Sequence, residues 1–395
     1  MFNQTAYALG ANRSCIRELF EYGRSRAAIV GPENVYDYSL GNPSIPSPKG
    51  VNDAIRDILL DTPSLLVHGY TSATGDLEAR KAISRDLNGR YGADTKPEEF
   101  FLGCGAAPEL CSVFRALSVP GGELIAVAPY FPEYRPFAQE AGLQFKAVPP
   151  DVPDFQISLP RLEALITPHT QAVLINTPNN PSGVVYTRET LQDLAALLTR
   201  KAESYGHPIY LIADEPYREL VYDGVEVPFL PTIYPNTLVC YSYSKSLSLP
   251  GERIGYVCVP SCVEGQADVL HAVAGAARSS GHVCPPTLVQ LALQRCADAR
   301  PDLAAYDANR RLLYRELTQM GYECIPPQGA FYIFVRVPDG DDVAFSQRAK
   351  LEHDLLVVPS TAFHCPGFLR LSYCVSHDMI LRSLPAFRAI REKYQ

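Results

Sequence analysis

The stretch Thr237–Val257, TLVCYSYSKSLSLPGERIGYV, decides how the rest of the chain is read. Leu238, Val239, Cys240 and Tyr241 form the short apolar run that a buried parallel strand needs, and the run breaks at once into the polar segment Ser242 to Ser246. Lys245 sits at that break, with Ser242 three residues before it and Arg253 eight residues after it. An amine condenses with a carbonyl, while a hydroxyl and a guanidinium hold phosphate oxygens, so the group suits an aldehyde carried on a phosphate. Taken alone, the same residues read first as a solvated lysine in a serine-rich turn.

The flanking sequence repeats the pattern of this strand. Phe100 to Leu102 runs into GCGAAPEL, Leu124 to Val127 into APYFPEY, Ala172 to Ile175 into NTPNNPSG, and Ile209 to Ala213 into DEPY. Strands alternating with helical stretches predict a doubly wound α/β domain with a mostly parallel sheet, whose ligand lies beyond the carboxyl ends of the strands. Gly105, Phe131, Asn180, Asp214, Tyr217 and Lys245 each follow a separate apolar run, so one crevice gathers them.

Further out, Ser14 to Val30 has the spacing of an amphipathic helix with Ser14 as N-cap, and Tyr36 to Pro48 reads as an extended crossing. Helices are expected over Pro48 to Leu60 and from Gly75-Asp76 to Gly92, with Tyr70 in the loop before the second. Beyond Gly281, long helices are expected over His282 to Arg300 and Asp302 to Met320. A strand over Phe331 to Val337, a helix over Asp342 to His353, short strands near 355–358 and 369–374 and a last helix over His377 to Glu392 complete an α+β piece. The expected organisation is a large domain over 48–280 and a smaller one over 281–395, with residues 1–47 packing against the smaller.

The bulk numbers exclude several classes of function. Of 395 residues, 47% are hydrophobic and 20% charged, which describes a folded globular chain. A net charge of -8 with no Lys/Arg block argues against nucleic acid or an anionic membrane surface and for small-molecule partners. The eleven cysteines are scattered, several within apolar runs, and Cys104 and Cys111 lack metal-ligand spacing, so reduced thiols and no metal are expected. The opening MFNQTAYALGANRS lacks the basic and apolar regions of a signal peptide, and no apolar run reaches membrane-span length, so a cytoplasmic protein is expected.

Asp214 ends a run, Ile209 to Ala213, that should be buried on both faces, and a carboxylate there needs a partner. A protonated ring nitrogen is one good partner, because the charged ring then serves as an electron sink. Tyr217 and Asn180 can reach a phenolic oxygen on the same ring. Singly, Asp214 also reads as a helix N-cap, Tyr217 as a core tyrosine and Asn180 as an Asx turn. Ordered with Ser242, Lys245 and Arg253, they converge on one cofactor.

From LGNP at Leu40 to FLRLSY ending at Tyr373, the chain resembles the fold-type I pyridoxal-phosphate enzymes of the class I/II aminotransferase group, the branch holding bacterial aspartate, alanine and aromatic aminotransferases. NTPNNPSG, DEPY and SYSKSLSLPGERIGY carry the resemblance, in that order. It implies pyridoxal phosphate (PLP) covalently bound to Lys245, which would also shuttle the proton. It further implies Asp214 on the pyridine nitrogen, Tyr217 and Asn180 on the ring oxygen, and Phe131 stacked on the ring. Ser242, Arg253 and the backbone of Gly105, Ala106 and Ala107 would hold the phosphate, the last three opening a helix whose positive end favours an anion. Tyr70 resembles the tyrosine that reaches the phosphate of the partner subunit, which implies a homodimer with shared active sites. Arg370, with Gly41 and Asn180, would hold the substrate α-carboxylate. Arg278, seven residues before Pro285-Pro286, falls within about a residue of the arginine that reads a distal carboxylate across the subunit boundary.

The implied reaction is a two-step exchange: an L-amino acid, aspartate first, gives its amine to the cofactor, and a 2-oxo acid such as 2-oxoglutarate takes it back, with ping-pong kinetics. Aromatic amino acids and alanine are alternative donors. A carbon–sulfur β-lyase of the cystathionine type is the alternative reaction, since the same site serves both. A ligand-sensing regulator with an aminotransferase-like domain is the remaining alternative, and the segment before Leu40 is too short for its DNA-binding module.

Overall fold

The computed structural model describes residues 1–11 and 14–394. Its strands are β1 (Tyr36–Asp37), β2 (Phe100–Gly103), β3 (Glu123–Val127), β4 (Gln144–Val148), β5 (Thr170–Asn176), β6 (Tyr210–Asp214), β7 (Thr237–Ser242) and β8 (Gly255–Cys258) in the first two thirds of the chain. The last third adds β9 (Cys324–Ile325), β10 (Tyr332–Arg336), β11 (Leu355–Leu356), β12 (Val358–Pro359) and β13 (Phe368–Ser372).

Seven strands form one sheet in the order β2-β8-β7-β6-β5-β3-β4. Every pairing in it is parallel except those of β8, which runs antiparallel to both neighbours. Strand β7 is buried along its whole length, and β5 and β6 nearly so, because helices cover both faces. That burial explains why these strands read as continuous apolar runs rather than alternating ones. Parallel register sets Asn176 beside Asp214 and Asp214 beside Cys240, so the polar residues that end β5, β6 and β7 emerge at one level.

A four-stranded antiparallel sheet, β12-β13-β10-β9, builds the smaller layer with helices Leu303–Gln319, Asp342–His353 and His377–Glu392. The N-terminal helix Cys15–Val30 begins at Ser14, whose hydroxyl accepts the Arg17 N–H, and stops at Gly31. Strand β1 pairs in parallel with β11, which fastens the N-terminal segment to the smaller layer. The expected helix over His282 to Arg300 is shorter, Thr287–Cys296, because Pro285 and Pro286 supply no N–H and push the residues before them out of helical geometry. Its Val289, Ala292, Leu293 and Cys296 join the core formed by Val51, Ala54, Ile58 and Ile83 on helices Lys49–Asp61 and Leu77–Tyr91. This helix therefore packs with the large layer.

Candidate active site

A cavity of about 370 Å³ opens beyond the carboxyl ends of β5, β6 and β7. Gly41, Ala106, Ala107, Phe131, Asn180, Asp214, Tyr217, Ser242, Lys245, Arg253 and Arg370 all line it. Tyr70 and Arg278 do not. Tyr70 is 87% exposed, and Arg278 is exposed in the last turn of helix Gln266–Ser279.

Lys245 stands on a single helical turn, Tyr243–Ser246, directly after β7. Its Nζ donates to the Gly41 carbonyl at 2.6 Å and lies 5.7 Å from the centre of the Phe331 ring. Burial disfavours the ammonium form and pulls its pKa down to about 8. A lysine so placed holds a reactive share of neutral amine near neutral pH.

Asp214, the last residue of β6, lines the same cavity. Its Oδ2 accepts from the Tyr134 hydroxyl, while Oδ1 is buried without a hydrogen-bond partner. Burial pushes its pKa up to about 7, and the Tyr134 bond offsets only part of that. A buried carboxylate oxygen without a donor is costly, and a cationic N–H offered from the cavity would satisfy it. Asn176 braces the strand end by donating from Nδ2 to the Asp214 carbonyl at 2.8 Å and accepting the Asn180 N–H at 2.7 Å.

At a third corner, helix Ala106–Ala116 begins without a side-chain cap. Its first N–H groups are orphans of the kind that bind anions. Gly105 takes φ 95°, and a Cβ there would come within 2.7 Å of the Arg253 guanidinium, so only glycine admits that close approach. Arg253 itself holds φ 52°, a strained value for a side-chain-bearing residue, and its guanidinium, at the cavity edge, donates to the Pro250 carbonyl at 3.0 Å. Ser242 and Ser244 share a 2.7 Å hydroxyl bond beside it. Hydroxyls, free N–H groups and a guanidinium meet at this corner, a set of donors that suits an anion.

Arg370, on β13, is 2% exposed. It donates to Asn180 Oδ1 at 3.1 Å and to the Ser39 carbonyl, and its guanidinium lies between the rings of Tyr332 at 4.7 Å and Phe363 at 4.9 Å. Its Nε has no partner. A fork so held is ready for a carboxylate.

Sequence reasoning missed Tyr134, Asn176, Ser244, Tyr332 and Ile16, which also line the cavity. Tyr134 had a signal, three residues after Phe131 in APYFPEY. Tyr332 was absorbed into a strand pattern, and Ile16 comes from the distant N-terminal helix.

These elements define an α/β enzyme with a cluster of anion-binding donors, a buried amine and a buried carboxylate at one strand-end cavity. The sequence matches the family "Aminotransferase class I and II" over residues 33–387, and the chain belongs to that family. It is an aminotransferase, and this family works with PLP. It is 31% identical to the aspartate aminotransferase of Thermotoga maritima, covering 91% of this chain and 92% of that one. A solved aminotransferase structure from Eubacterium rectale superposes with a TM-score of 0.98 at 52% identity, covering 100% of this chain and 99% of that one. The Thermus thermophilus aspartate aminotransferase with maleate gives a TM-score of 0.86 at 28% identity over 99% of each chain. Among the described residues, no helix is long and apolar enough to cross a membrane, and no group of metal-ligating side chains occurs.

Proposed function

We propose that the cavity takes PLP, attached covalently through Lys245, and moves amino groups from an L-amino acid, aspartate first, to a 2-oxo acid such as 2-oxoglutarate. The observation that carries this reading is the pairing of a buried amine with a buried, half-satisfied carboxylate across one cavity, Lys245 and Asp214. The residues fit the cofactor on their own chemistry. Asp214 Oδ1 lacks the donor that a pyridinium N–H provides, and the bare Gly105 lets the Arg253 guanidinium stand against the start of helix Ala106–Ala116, where an anion would sit.

When bound, PLP supplies the aldehyde that takes up the amino group and the cationic ring that spreads the charge left by the departing Cα proton. Asp214 would keep that ring charged, with Tyr134 holding the carboxylate in place. Tyr217 and Asn180 would donate to the ring oxygen, and Phe131 would cover one ring face. Ser242, Arg253 and the N–H groups of Gly105, Ala106 and Ala107 would hold the phosphate. Arg370 would grip the substrate α-carboxylate, with Asn180 and the Gly41 backbone beside it. Lys245, once freed, would carry the proton from Cα, and its lowered pKa suits that shuttle.

A homodimer fits the same reading. Leu59, Leu60, Leu65, Leu66 and Tyr70 leave large apolar side chains exposed over one short stretch, where a second copy would cover them and receive the Tyr70 hydroxyl at its phosphate. Arg278 would read a distal carboxylate in the same way. An aromatic or small apolar donor is the second reading, favoured by Ile16, Leu110 and Phe131 in the cavity wall.

The test is a visible absorbance spectrum of the purified protein with single amino acids added and no oxo acid. Loss of the cofactor band with aspartate or glutamate, and its return with 2-oxoglutarate or oxaloacetate, is the expected result. Loss with aromatic or small apolar amino acids alone selects the second reading and removes Arg278 from the site. A band unmoved by every amino acid, with pyruvate released from cystathionine, overturns both.

A further inference from the structure

Tyr332 is a buried cavity residue, 2% exposed, whose two halves face different partners. Its hydroxyl lies 2.9 Å from the Tyr217 hydroxyl, and the Arg370 guanidinium sits over its ring at 4.7 Å. A Cβ on Gly41 would fall 2.0 Å from that hydroxyl, so the bare backbone of Gly41 gives the hydroxyl its seat. The same Gly41 accepts Lys245 Nζ through its carbonyl. One side chain thus adjoins the residues proposed for the ring oxygen, the substrate carboxylate and the reactive amine.

We propose that Tyr332 is a positioning residue with two separable tasks: its hydroxyl strengthens Tyr217 as a hydrogen-bond donor to the cofactor ring oxygen, and its ring seats Arg370 for the substrate carboxylate. The inference rests on the proposed placement of PLP. A hydroxyl has one proton to give. If Tyr217 spends its proton on the ring oxygen, the proton in the 2.9 Å contact comes from Tyr332. Accepting that bond polarises the Tyr217 O–H, because bonds in a chain reinforce one another where water is excluded. A stronger donation draws charge from the ring oxygen and leaves less of it to stabilise a proton on the neighbouring nitrogen that joins the cofactor to Lys245. The hydroxyl of Tyr332 therefore lowers the proton affinity of that nitrogen. The ring acts separately: its negative face holds a guanidinium already desolvated, and phenylalanine keeps that face.

The experiment compares Tyr332→Phe and Tyr332→Leu as cofactor-loaded proteins, reading the visible absorbance against pH and the KM for the amino donor. Tyr332→Phe should raise the absorbance midpoint by roughly half a pH unit and keep KM within about twofold. Tyr332→Leu should also raise KM, by about 3- to 30-fold. A Tyr332→Phe midpoint equal to that of the parent, or a KM that rises as much with Phe as with Leu, overturns the proposal. The reading beneath it fails differently, by a parent protein whose visible band persists in Lys245→Ala with its pH dependence intact.

Discussion

Asp214 and Glu215 are consecutive carboxylates at the end of β6, both buried, both pushed up to about 7 by burial, and they lead into opposite halves of the protein. Successive side chains on a strand face opposite sides of the sheet. Asp214 faces the cavity, with one oxygen on Tyr134 and one without a partner. Glu215 joins an ionic network: its Oε2 meets Arg218 at 2.8 Å while its Oε1, like Asp214 Oδ1, is buried without a hydrogen-bond partner, Arg218 meets Glu219 at 3.3 Å, and Arg90 meets Glu219 at 2.7 Å. Tyr256 and Tyr241 complete it with hydroxyl bonds to Arg218 and Glu219 at 2.9 Å and 2.8 Å, and the Arg218 guanidinium covers the Tyr241 ring at 4.3 Å. Each carboxylate leaves one oxygen without a donor, and the difference lies in the charge beside it: Glu215 has the Arg218 guanidinium, Asp214 only the Tyr134 hydroxyl. The network pairs its carboxylates with cations of this chain, and the cavity leaves Asp214 to a cation that a ligand would bring.

Substitutions on the two faces should therefore separate turnover from stability. Lys245→Ala is the largest expected effect, a loss of turnover on the order of ten-thousandfold with little change in melting temperature, measured by single-turnover kinetics and calorimetry. On the other face, Arg218→Met leaves Glu215 buried without its cation and Glu219 with Arg90 alone, and should cost about 3–5 kcal/mol of stability, read from denaturant unfolding. A melting point unchanged in that variant would dissolve the contrast.

Asp214→Asn should lose roughly a hundred- to a thousandfold in turnover. In the cofactor-free protein the same variant should be the more stable one at pH 8. The folded pKa near 7 stands above the ordinary 3.8, so between those values the folded chain binds the extra proton. The contribution of Asp214 to stability is complete below about pH 4 and is lost as pH rises through 7. Asparagine has nothing to lose, so the gap between variant and parent should open with pH, in thermal melts from pH 4 to 8. Tyr134→Phe is the smallest effect, about 1 kcal/mol or fivefold in turnover, with the melting point nearly unchanged. A loss as large as that of Asp214→Asn would make Tyr134 more than a brace.

The strand ends carry their site residues legibly because each apolar run breaks where the polar residue begins, and Asn180, Asp214, Ser242 and Lys245 were visible for that reason. Arg253 and Arg370 were visible through motifs, PGERIGY and FLRLSY. Tyr332 was not, since a tyrosine in an apolar run reads as core, and for Tyr134, three residues after Phe131, only geometry shows its hydroxyl meeting Asp214. The network residues Glu215, Arg218 and Glu219 sat in the DEPYREL stretch, but their closure with Arg90 joins positions far apart in sequence. The helix start after Pro286 was written in the sequence and overridden by its apolar periodicity.

The pairing of β1 with β11 sets Tyr36 against Leu355, more than three hundred residues later. At about 5–20 residues per second of synthesis, the first strand waits roughly 15 to 60 seconds for its partner to leave the ribosome. Through that interval the helix that carries Ile16 to the cavity wall has no native surface to lie on, because Leu356, Val358 and Phe363, which cover its Leu19, are still unmade. The beginning of this chain thus cannot become native before β11 is made, and a ribosome stalled before Leu355 holds a finished seven-stranded sheet with an unroofed cavity.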